Sequence, residues 1–327
     1  MEFSEVGINF FDAFNGDADG ICALIQLRRA EPRNAELITG VKRDINLLKR
    51  INASEADVVT VLDISFEKNA LDVERLLLQG ASVFYADHHK AGELPLSVHL
   101  DAHIDTSPDI CTALIVDKLL EGKYRAWAIT AAYGDNLTAV ADALAEQSGF
   151  SAEESERLKK LGVCVNYNGY GGQLDDLFYH PAELYKLLAD FDTPFEFLKQ
   201  RPDVFDVLST GYEGDMAKAS SLVPIKETAT AATFMLPDEQ WARRVSGVYG
   251  NDLANQSPGR AHAVITKKAD GTYQVSVRAP LSNKTGADEL VSQFPTGGGR
   301  KGAAGINALP YDRLEMFIAT FEDRYGG

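Results

Sequence analysis

The feature that most limits the fold is an alternation of short apolar runs with helical patterns in the first part of the chain. Residues 8–14, 58–62 and 83–86 are apolar, and each run ends in acidic or turn residues. Helical patterns occupy 21–29 and 67–79. This order is typical of parallel βαβ units. Because functional side chains in such sheets collect at the carboxyl ends of the strands, the acidic residues there are the first candidates for a site.

The rest of the chain changes character twice. A helical pattern covers 111 to about 160, the sequence YNGYGG interrupts it at 167–172, and proline-punctuated helices follow over 181–223. Near the C-terminus, strand-like residues 261–266 and 272–278 flank the hairpin turn signal Ala-Asp-Gly. A glycine-rich loop is predicted after them, before a last amphipathic helix.

These patterns predict an α/β fold class with two domains. We expect an N-terminal parallel-sheet domain over 1–190, a helical linker over 191–230 and a smaller C-terminal α+β domain over 231–327. The active site is expected in the cleft between the domains.

Charge and cysteine content narrow the class of protein. The 327 residues include 32 Lys and Arg against 48 Asp and Glu, a formal charge of -16. Binding to long duplex nucleic acid needs many cations, so a short anionic substrate is favoured. Cys22, Cys111 and Cys164 lie far apart and predict buried free thiols, as in a reducing compartment. With no signal-peptide pattern and no membrane-spanning apolar run, we expect a soluble cytoplasmic protein.

Carboxylates and histidines stand at the predicted strand ends. Asp17 and Asp19 precede Gly20, a pattern that alone is typical of a turn. Asp63 and Asp135 each follow an apolar segment and would, alone, be helix caps or solvated loop residues.

The tripeptide Asp87-His88-His89 is more specific, because it places two imidazoles beside a carboxylate at the end of a buried-looking strand. Imidazole and carboxylate together suit a divalent metal such as manganese. Considered with the four aspartates, the tripeptide predicts a two-metal site of the kind that clamps a phosphoryl group.

The order DxDG, D, DHH, GD resembles the DHH phosphoesterase family. The C-terminal stretches 275–278 (VSVR) and 297–305 (GGGRKGAAG) are similar to the DHH-associated domain of the first type. Together the two parts resemble nanoRNases, pAp phosphatases and RecJ-like proteins.

The resemblance assigns roles to individual residues. It implies that Asp63 bridges the metals, that His89 faces the substrate, and that Asp87 orients the histidines. With Asp63 these are the predicted catalytic residues: His89, Asp63 and Asp87. The predicted metal ligands are Asp17, Asp19, Asp63, His88 and Asp135. The predicted substrate-binding residues are Arg278, Gly298, Gly299, Arg300, Lys301 and Asn15.

Two positions depart from the family pattern. Many members carry a histidine four residues before the first aspartate, where this chain has Ala13, and RecJ-type members have an acidic residue where this chain has Asn15. One metal then has fewer ligands, or Asn15 contributes an amide oxygen. Arg300 replaces the histidine of GGGH and adds a cation. Tyr170, in the YNGYGG segment, either stacks on a base or packs within its loop.

The resulting functional prediction is manganese-dependent hydrolysis of phosphoester bonds in short nucleotides (nanoRNA, pAp or linear dinucleotides) by a water that two Mn²⁺ ions activate. Mg²⁺ or Co²⁺ are potential substitutes. A RecJ-like single-strand exonuclease, an exopolyphosphatase-related hydrolase and a nucleotide sensor without catalysis are the alternatives. No long duplex and no membrane is expected as a partner, and a homodimer is suggested by resemblance alone.

Overall fold

The computed structural model describes residues 7–327 of the chain, which divide into two compact units between Gly211 and Tyr212. The strands of the first unit are β1 (Phe10–Phe14), β2 (Glu36–Ile38), β3 (Val58–Leu62), β4 (Ser82–Asp87) and β5 (Leu100–Ile104). Its helices are α1 (Ala18–Ala30), α2 (Phe66–Leu78), α3 (Thr112–Leu119), α4 (Arg125–Gly134), α5 (Thr138–Gln147), α6 (Ala152–Asn168), α7 (Pro181–Ala189), α8 (Pro194–Gln200) and α9 (Pro202–Ser220). The division falls within α9, inside the segment 191–230 that the sequence assigned to a linker.

The first unit contains the predicted parallel sheet. Its five strands run in the order β2-β1-β3-β4-β5, and every pairing is parallel. The two outer strands, β2 and β5, were not predicted. β2 is only three residues long and carries an exposed glutamate, so its sequence signal is weak. The helical pattern over 111–160 comprises four separate helices, α3 to α6.

Two glycines let α4 and α6 approach each other closely. A Cβ built at Gly162 would lie 2.1 Å from the carbonyl oxygen of Thr130, and one at Gly134 would lie 2.8 Å from that of Gly162. Both distances are far below van der Waals contact, so larger residues would push the helices apart. This contact sets the C-terminal end of α4, where Asp135 follows.

The second unit is a mixed sheet with helices on it. Its strands are β6 (Lys226–Glu227), β7 (Ala231–Leu236), β8 (Ala261–Lys267), β9 (Thr272–Arg278), β10 (Gly297–Arg300) and β11 (Ala303–Pro310), and its helices are α10 (Gln240–Gln256), α11 (Ala287–Val291) and α12 (Leu314–Tyr325). The sheet order is β10-β11-β9-β8-β7-β6, with only β7 and β8 parallel. One buried cluster includes residues of α11 and α12, and another includes residues of α10. The fold class is therefore the predicted α/β combination of a parallel sheet and a second, α+β unit.

The prediction of a glycine-rich loop at 297–305 was wrong. These residues form the hairpin of β10 and β11, in which Gly298 pairs with Gly305 and Arg300 with Ala303. Glycine is usually unfavourable in strands. Here Gly299 has a φ of +146°, and a Cβ on it would lie 2.5 Å from the Cα of Ala304. The glycines therefore permit a close strand pairing that a general β-propensity scale does not anticipate.

Two other predictions concern the whole chain. All three cysteines are buried and none forms a disulfide, as predicted. Among residues 7–327, no helix has both the length and the apolar character needed to cross a bilayer.

A buried ion pair joins α1 to the sheet beneath it. Arg28 donates from Nε to Asp12 Oδ2 at 2.7 Å, and its Nη2 donates to Asp12 Oδ1 at 2.5 Å and to Thr60 Oγ1 at 2.8 Å. Arg28 and Asp12 are 9% and 2% exposed. Because Asp12 lies on β1 and Thr60 on β3, this pair connects the C-terminal half of α1 to two central strands.

We predict that Arg28→Met lowers the free energy of unfolding by about 3–5 kcal/mol, because it leaves the Asp12 carboxylate buried without a partner. The double variant Asp12→Leu/Arg28→Met should be more stable than Arg28→Met. Arg33→Met, which removes a more exposed pair with Glu31, should cost at most about 1 kcal/mol. Urea denaturation measures all three, and a double variant less stable than Arg28→Met would contradict the account.

Candidate metal centre

Five aspartates and two histidines meet at the carboxyl end of the parallel sheet. Asp17 and Asp19 lie where β1 leads into α1, Asp63 follows β3, and Asp135 follows α4. Asp87, His88 and His89 stand at the end of β4. The structure thus brings together all the predicted metal ligands and catalytic residues.

Asp19 is held in place by the N-terminus of α3. Its Oδ2 accepts a hydrogen bond from the backbone N–H of Thr112 at 2.8 Å, and its Oδ1 accepts one from Ala113 at 2.7 Å. Backbone N–H groups at a helix N-terminus favour negative charge. Asp19 is therefore a fixed, buried carboxylate, and each of its oxygens keeps a second lone pair for another ligand.

Asp63 occupies a strained and highly charged position. Its φ of +58° lies in the left-handed region, which an aspartate adopts more readily than most residues. Its Oδ1 accepts a hydrogen bond from Thr112 Oγ1 at 3.2 Å. Burial, followed by the charges of Asp19 and Asp17, raises the pKa of Asp63 well above its usual value. A cation bound beside it would oppose this shift by stabilising the ionised carboxylate.

His88 presents one ring nitrogen to three of these carboxylates. Nδ1 lies 3.1 Å from the carbonyl oxygen of Ile110, which can only accept, so Nδ1 is the donor of this hydrogen bond and Nε2 is the ring nitrogen directed at the carboxylates. Nε2 lies 3.4 Å from Asp63 Oδ1, 3.8 Å from Asp19 Oδ2 and 3.9 Å from Asp135 Oδ2.

Three carboxylates and His88 Nε2 can each supply a ligand atom to a divalent ion. Ligand atoms at about 2.0–2.2 Å from one cation lie roughly 3–3.5 Å from each other, slightly less than the distances around His88 Nε2. Ligand atoms of Asp19, His88 and Asp135 lie within 4.8 Å of one another, and those of Asp63, His88 and His89 form a second such group that shares His88 with the first. Burial and the neighbouring Asp19 raise the pKa of Asp135 to about 6, although the charge of Lys42 acts in the opposite direction. Three carboxylates and one imidazole suit Mn²⁺ and similar ions.

Asp87 and His89 form a separate pair beside these four residues. Asp87 is fully buried, and its Oδ1 lies 2.7 Å from His89 Nδ1. The backbone N–H of Phe66 donates to Asp87 Oδ2 at 3.3 Å, which orients the carboxylate. The hydrogen bond to Asp87 raises the pKa of His89, whose side chain is 46% exposed. His89 is thus an oriented imidazole at the solvent side of the centre.

Lys42 is a residue of the centre that the sequence analysis missed. Its Nζ lies 2.6 Å from Asp17 Oδ2 and 3.8 Å from Asp135 Oδ1. Asp17 Oδ1 meanwhile accepts from the backbone N–H groups of Asp19 and Gly20. Although burial alone would raise it, the pKa of Asp17 lies below its usual value because the charge of Lys42 and these hydrogen bonds outweigh burial. No sequence pattern marked Lys42, because it follows β2, a three-residue strand that the sequence did not predict.

The similarity to known proteins lies in three-dimensional structure. No family model matches the sequence, and no curated protein matches it. An exonuclease RecJ bound to manganese aligns with a TM-score of 0.67 and 16% identity over 97% of this chain and 90% of that one. The DHH domain of a member of the s1p family of ribosomal proteins aligns at 0.64 and 13% identity, over 97% and 86%. A pGpG-specific phosphodiesterase from Vibrio cholerae aligns at 0.56 and 16% identity, over 96% and 98%.

The chain has the DHH phosphoesterase fold. This confirms the resemblance that the sequence motifs indicated, at the level of architecture. The likeness spans both units, so it includes the parallel sheet that carries the motifs and the mixed sheet of the second unit.

Ala13 and Asn15, the two residues that differ from the family pattern near the first aspartate, are both buried. Ala13 is fully buried in β1 and offers no ligand atom. Asn15 is 6% exposed; its Nδ2 donates to the carbonyl oxygen of Lys42 at 3.3 Å, while its Oδ1 is buried without a hydrogen-bond partner among residues 7–327. Asn15 therefore ties the β1–α1 loop to the segment that carries Lys42.

The predicted substrate-binding residues other than Asn15 belong to the second unit of the DHH fold. Arg278 lies on β9, where its Nε donates to Asn251 Oδ1 at 2.6 Å and its Nη1 to Ser276 Oγ at 2.9 Å. The β-pairing places Arg278 opposite Ala303, and Ala303 opposite Arg300, so the two arginines share one row of the sheet. Three more predicted residues lie on the β10–β11 hairpin: Gly298, Gly299 and Lys301.

We predict that Asp19→Asn weakens Mn²⁺ binding by at least about 100-fold, since even a residue that only orients a ligand changes metal affinity by about 10–100-fold. The matched control is Asp323→Asn, an exposed change on α12. Equilibrium dialysis with Mn²⁺ measures both. Equal affinities for the two variants would show that Asp19 is not a ligand.

Proposed function

We propose that the chain is a divalent-metal-dependent hydrolase of phosphoester bonds in short nucleotide substrates. The observation that carries the proposal is the convergence of three carboxylate oxygens on Nε2 of His88, at 3.4–3.9 Å. The residues that would hold the ion are Asp19, Asp63, His88 and Asp135. The three carboxylates each lie 3.4–3.9 Å from His88 Nε2, and Mn²⁺, Mg²⁺ and Co²⁺ all accept carboxylate and imidazole ligands.

A divalent ion bound there would supply two kinds of chemistry: it lowers the pKa of a water molecule, and it stabilises negative charge on a phosphoryl group. The chain's own residues support both. The α3 N-terminus and Thr112 fix the orientation of Asp19 and Asp63, so these carboxylates need little rearrangement when the substrate binds.

His89 is the candidate general acid. Asp87 holds its Nδ1, so Nε2 is the nitrogen that remains for the substrate. Because the hydrogen bond to Asp87 raises the pKa of His89 above its usual value, this hydrogen bond favours the protonated imidazole. A protonated His89 can bind a phosphoryl oxygen and give its Nε2 proton to the leaving oxygen.

Two observations support a short substrate. The chain has a formal charge of -16, which disfavours contact with many phosphates of a long strand. The structurally similar proteins include a phosphodiesterase whose described substrate, pGpG, is a dinucleotide. A single-strand exonuclease is the second candidate, because the RecJ structure has a higher TM-score of 0.67.

The test is release of nucleotide products from pAp, pApA, pGpG, a five-nucleotide RNA, single-stranded DNA and tripolyphosphate, each with Mn²⁺ and with EDTA. We expect Mn²⁺-dependent cleavage of the short nucleotides. His89→Ala should lower kcat by about 10²–10⁴-fold, as expected for a lost general acid. His99→Ala, a change at an exposed histidine, is the matched control and should behave as the wild type.

The other outcomes separate the alternatives. Preferential degradation of single-stranded DNA would favour the exonuclease, and cleavage of tripolyphosphate alone would favour a polyphosphate hydrolase. Metal binding without turnover of any substrate would indicate a nucleotide sensor. Turnover that persists in EDTA would contradict the proposal.

A further inference from the structure

The position of the Lys42 ammonium group is fixed by the end of α6. The backbone N–H of Lys42 donates to the carbonyl oxygen of Gly169 at 2.8 Å, and its Nζ donates to Asn166 Oδ1 at 3.1 Å. The ring of Tyr170 lies 5.5 Å from Nζ, within the range of a cation–π contact. A long, flexible side chain held by these groups is a built part of the centre and not a surface lysine that happens to find an acid.

The ammonium divides the carboxylates of the centre into two groups. Asp17 contacts Lys42 at 2.6 Å, whereas Asp19 lies 3.8 Å from His88 Nε2. Asp135 stands between them, with Oδ1 3.8 Å from Lys42 Nζ and Oδ2 3.9 Å from His88 Nε2. Asp135 thus faces the Lys42 ammonium with one oxygen and the candidate metal position with the other.

This arrangement resembles a two-metal site in which the Lys42 ammonium stands at one cation position and a divalent ion would occupy the other. In two-metal sites the ions lie about 3.5–4 Å apart. Asp17 is absent from both groups of potential metal-ligating atoms found among residues 7–327. A second divalent ion at Asp17 would have to displace the Lys42 ammonium, because two unscreened cations so close together repel each other strongly.

We infer that the Lys42 ammonium takes the place of a second metal ion, so that the centre binds one divalent ion through Asp19, Asp63, His88 and Asp135. The inference rests on the proposed function only in that a divalent ion binds there. Lys42 then supplies a permanent positive charge on the Asp17 side, where it neutralises that carboxylate and can bind an oxygen of a phosphate group.

The first test counts the ions bound by the wild-type chain. Metal analysis after equilibrium dialysis against saturating Mn²⁺ should give one ion per chain, and the electron paramagnetic resonance spectrum should be that of an isolated Mn²⁺. Two ions per chain with an exchange-coupled spectrum would overturn the inference and leave the proposed function intact. No bound ion would contradict the proposed function itself.

The second test changes the lysine. Lys42→Met removes the charge but keeps much of the side-chain volume, so it should bind two ions and give a coupled spectrum. Lys42→Arg keeps the charge and should bind one, as should the control Lys49→Met, which changes an exposed lysine. A Lys42→Met chain that folds and still binds one ion would show that Lys42 does not exclude the second.

A third variant decides the question if Lys42→Met does not fold. Asp17→Asn should leave the count at one ion per chain and change Mn²⁺ affinity by less than about tenfold, since Asp17 contacts Lys42 and not the ion. Loss of the bound ion in Asp17→Asn would make Asp17 a metal ligand and overturn the inference. Circular dichroism of each variant confirms that the binding results refer to folded protein.

Discussion

Repulsion among buried carboxylates is the constraint on which the rest of the site depends. Two unit charges about 4 Å apart interact by roughly 4 kcal/mol at an effective dielectric constant of about 20, and several aspartates share this sheet edge. The pKa of Asp63 is raised well above its usual value by burial and by Asp19 and Asp17, which shows how poorly the site tolerates its own charge. Holding these carboxylates together lowers the stability of the folded protein, and nearby cations offset this loss.

Each part of the surrounding structure helps to keep the carboxylates in place. The N-terminus of α3 holds Asp19, and the buried Arg28–Asp12 pair connects α1 to the sheet. The close packing of α4 against α6 fixes the C-terminal end of α4, and Asp135 is the next residue. Lys42 adds a cation at Asp17, a carboxylate that does not face His88. The parallel sheet collects these elements at one edge because all its strands end there.

Much of this could be predicted from sequence, for a physical reason. Asp63 and Asp87 follow strands whose apolar runs are strong signals, so their place at a common sheet edge could be read from the pattern. Lys42 could not, because it follows β2, a strand of three residues with little hydrophobic pattern. The β10–β11 hairpin was not predicted because glycine has a low propensity for strands. In this hairpin, however, the close pairing of the strands requires a glycine at Gly299. Long-range contacts such as Lys42 with Asn166 depend on packing that no local pattern records.

The most direct test of the centre is an anomalous diffraction map at the manganese absorption edge, from crystals of the full chain grown with Mn²⁺. We expect one strong peak within bonding distance of Asp19, Asp63, Asp135 and His88 Nε2, with the Lys42 ammonium still against Asp17. A map without a peak at these residues, or with Mn²⁺ bound only at other acidic groups, would contradict the claim that this cluster is a metal centre.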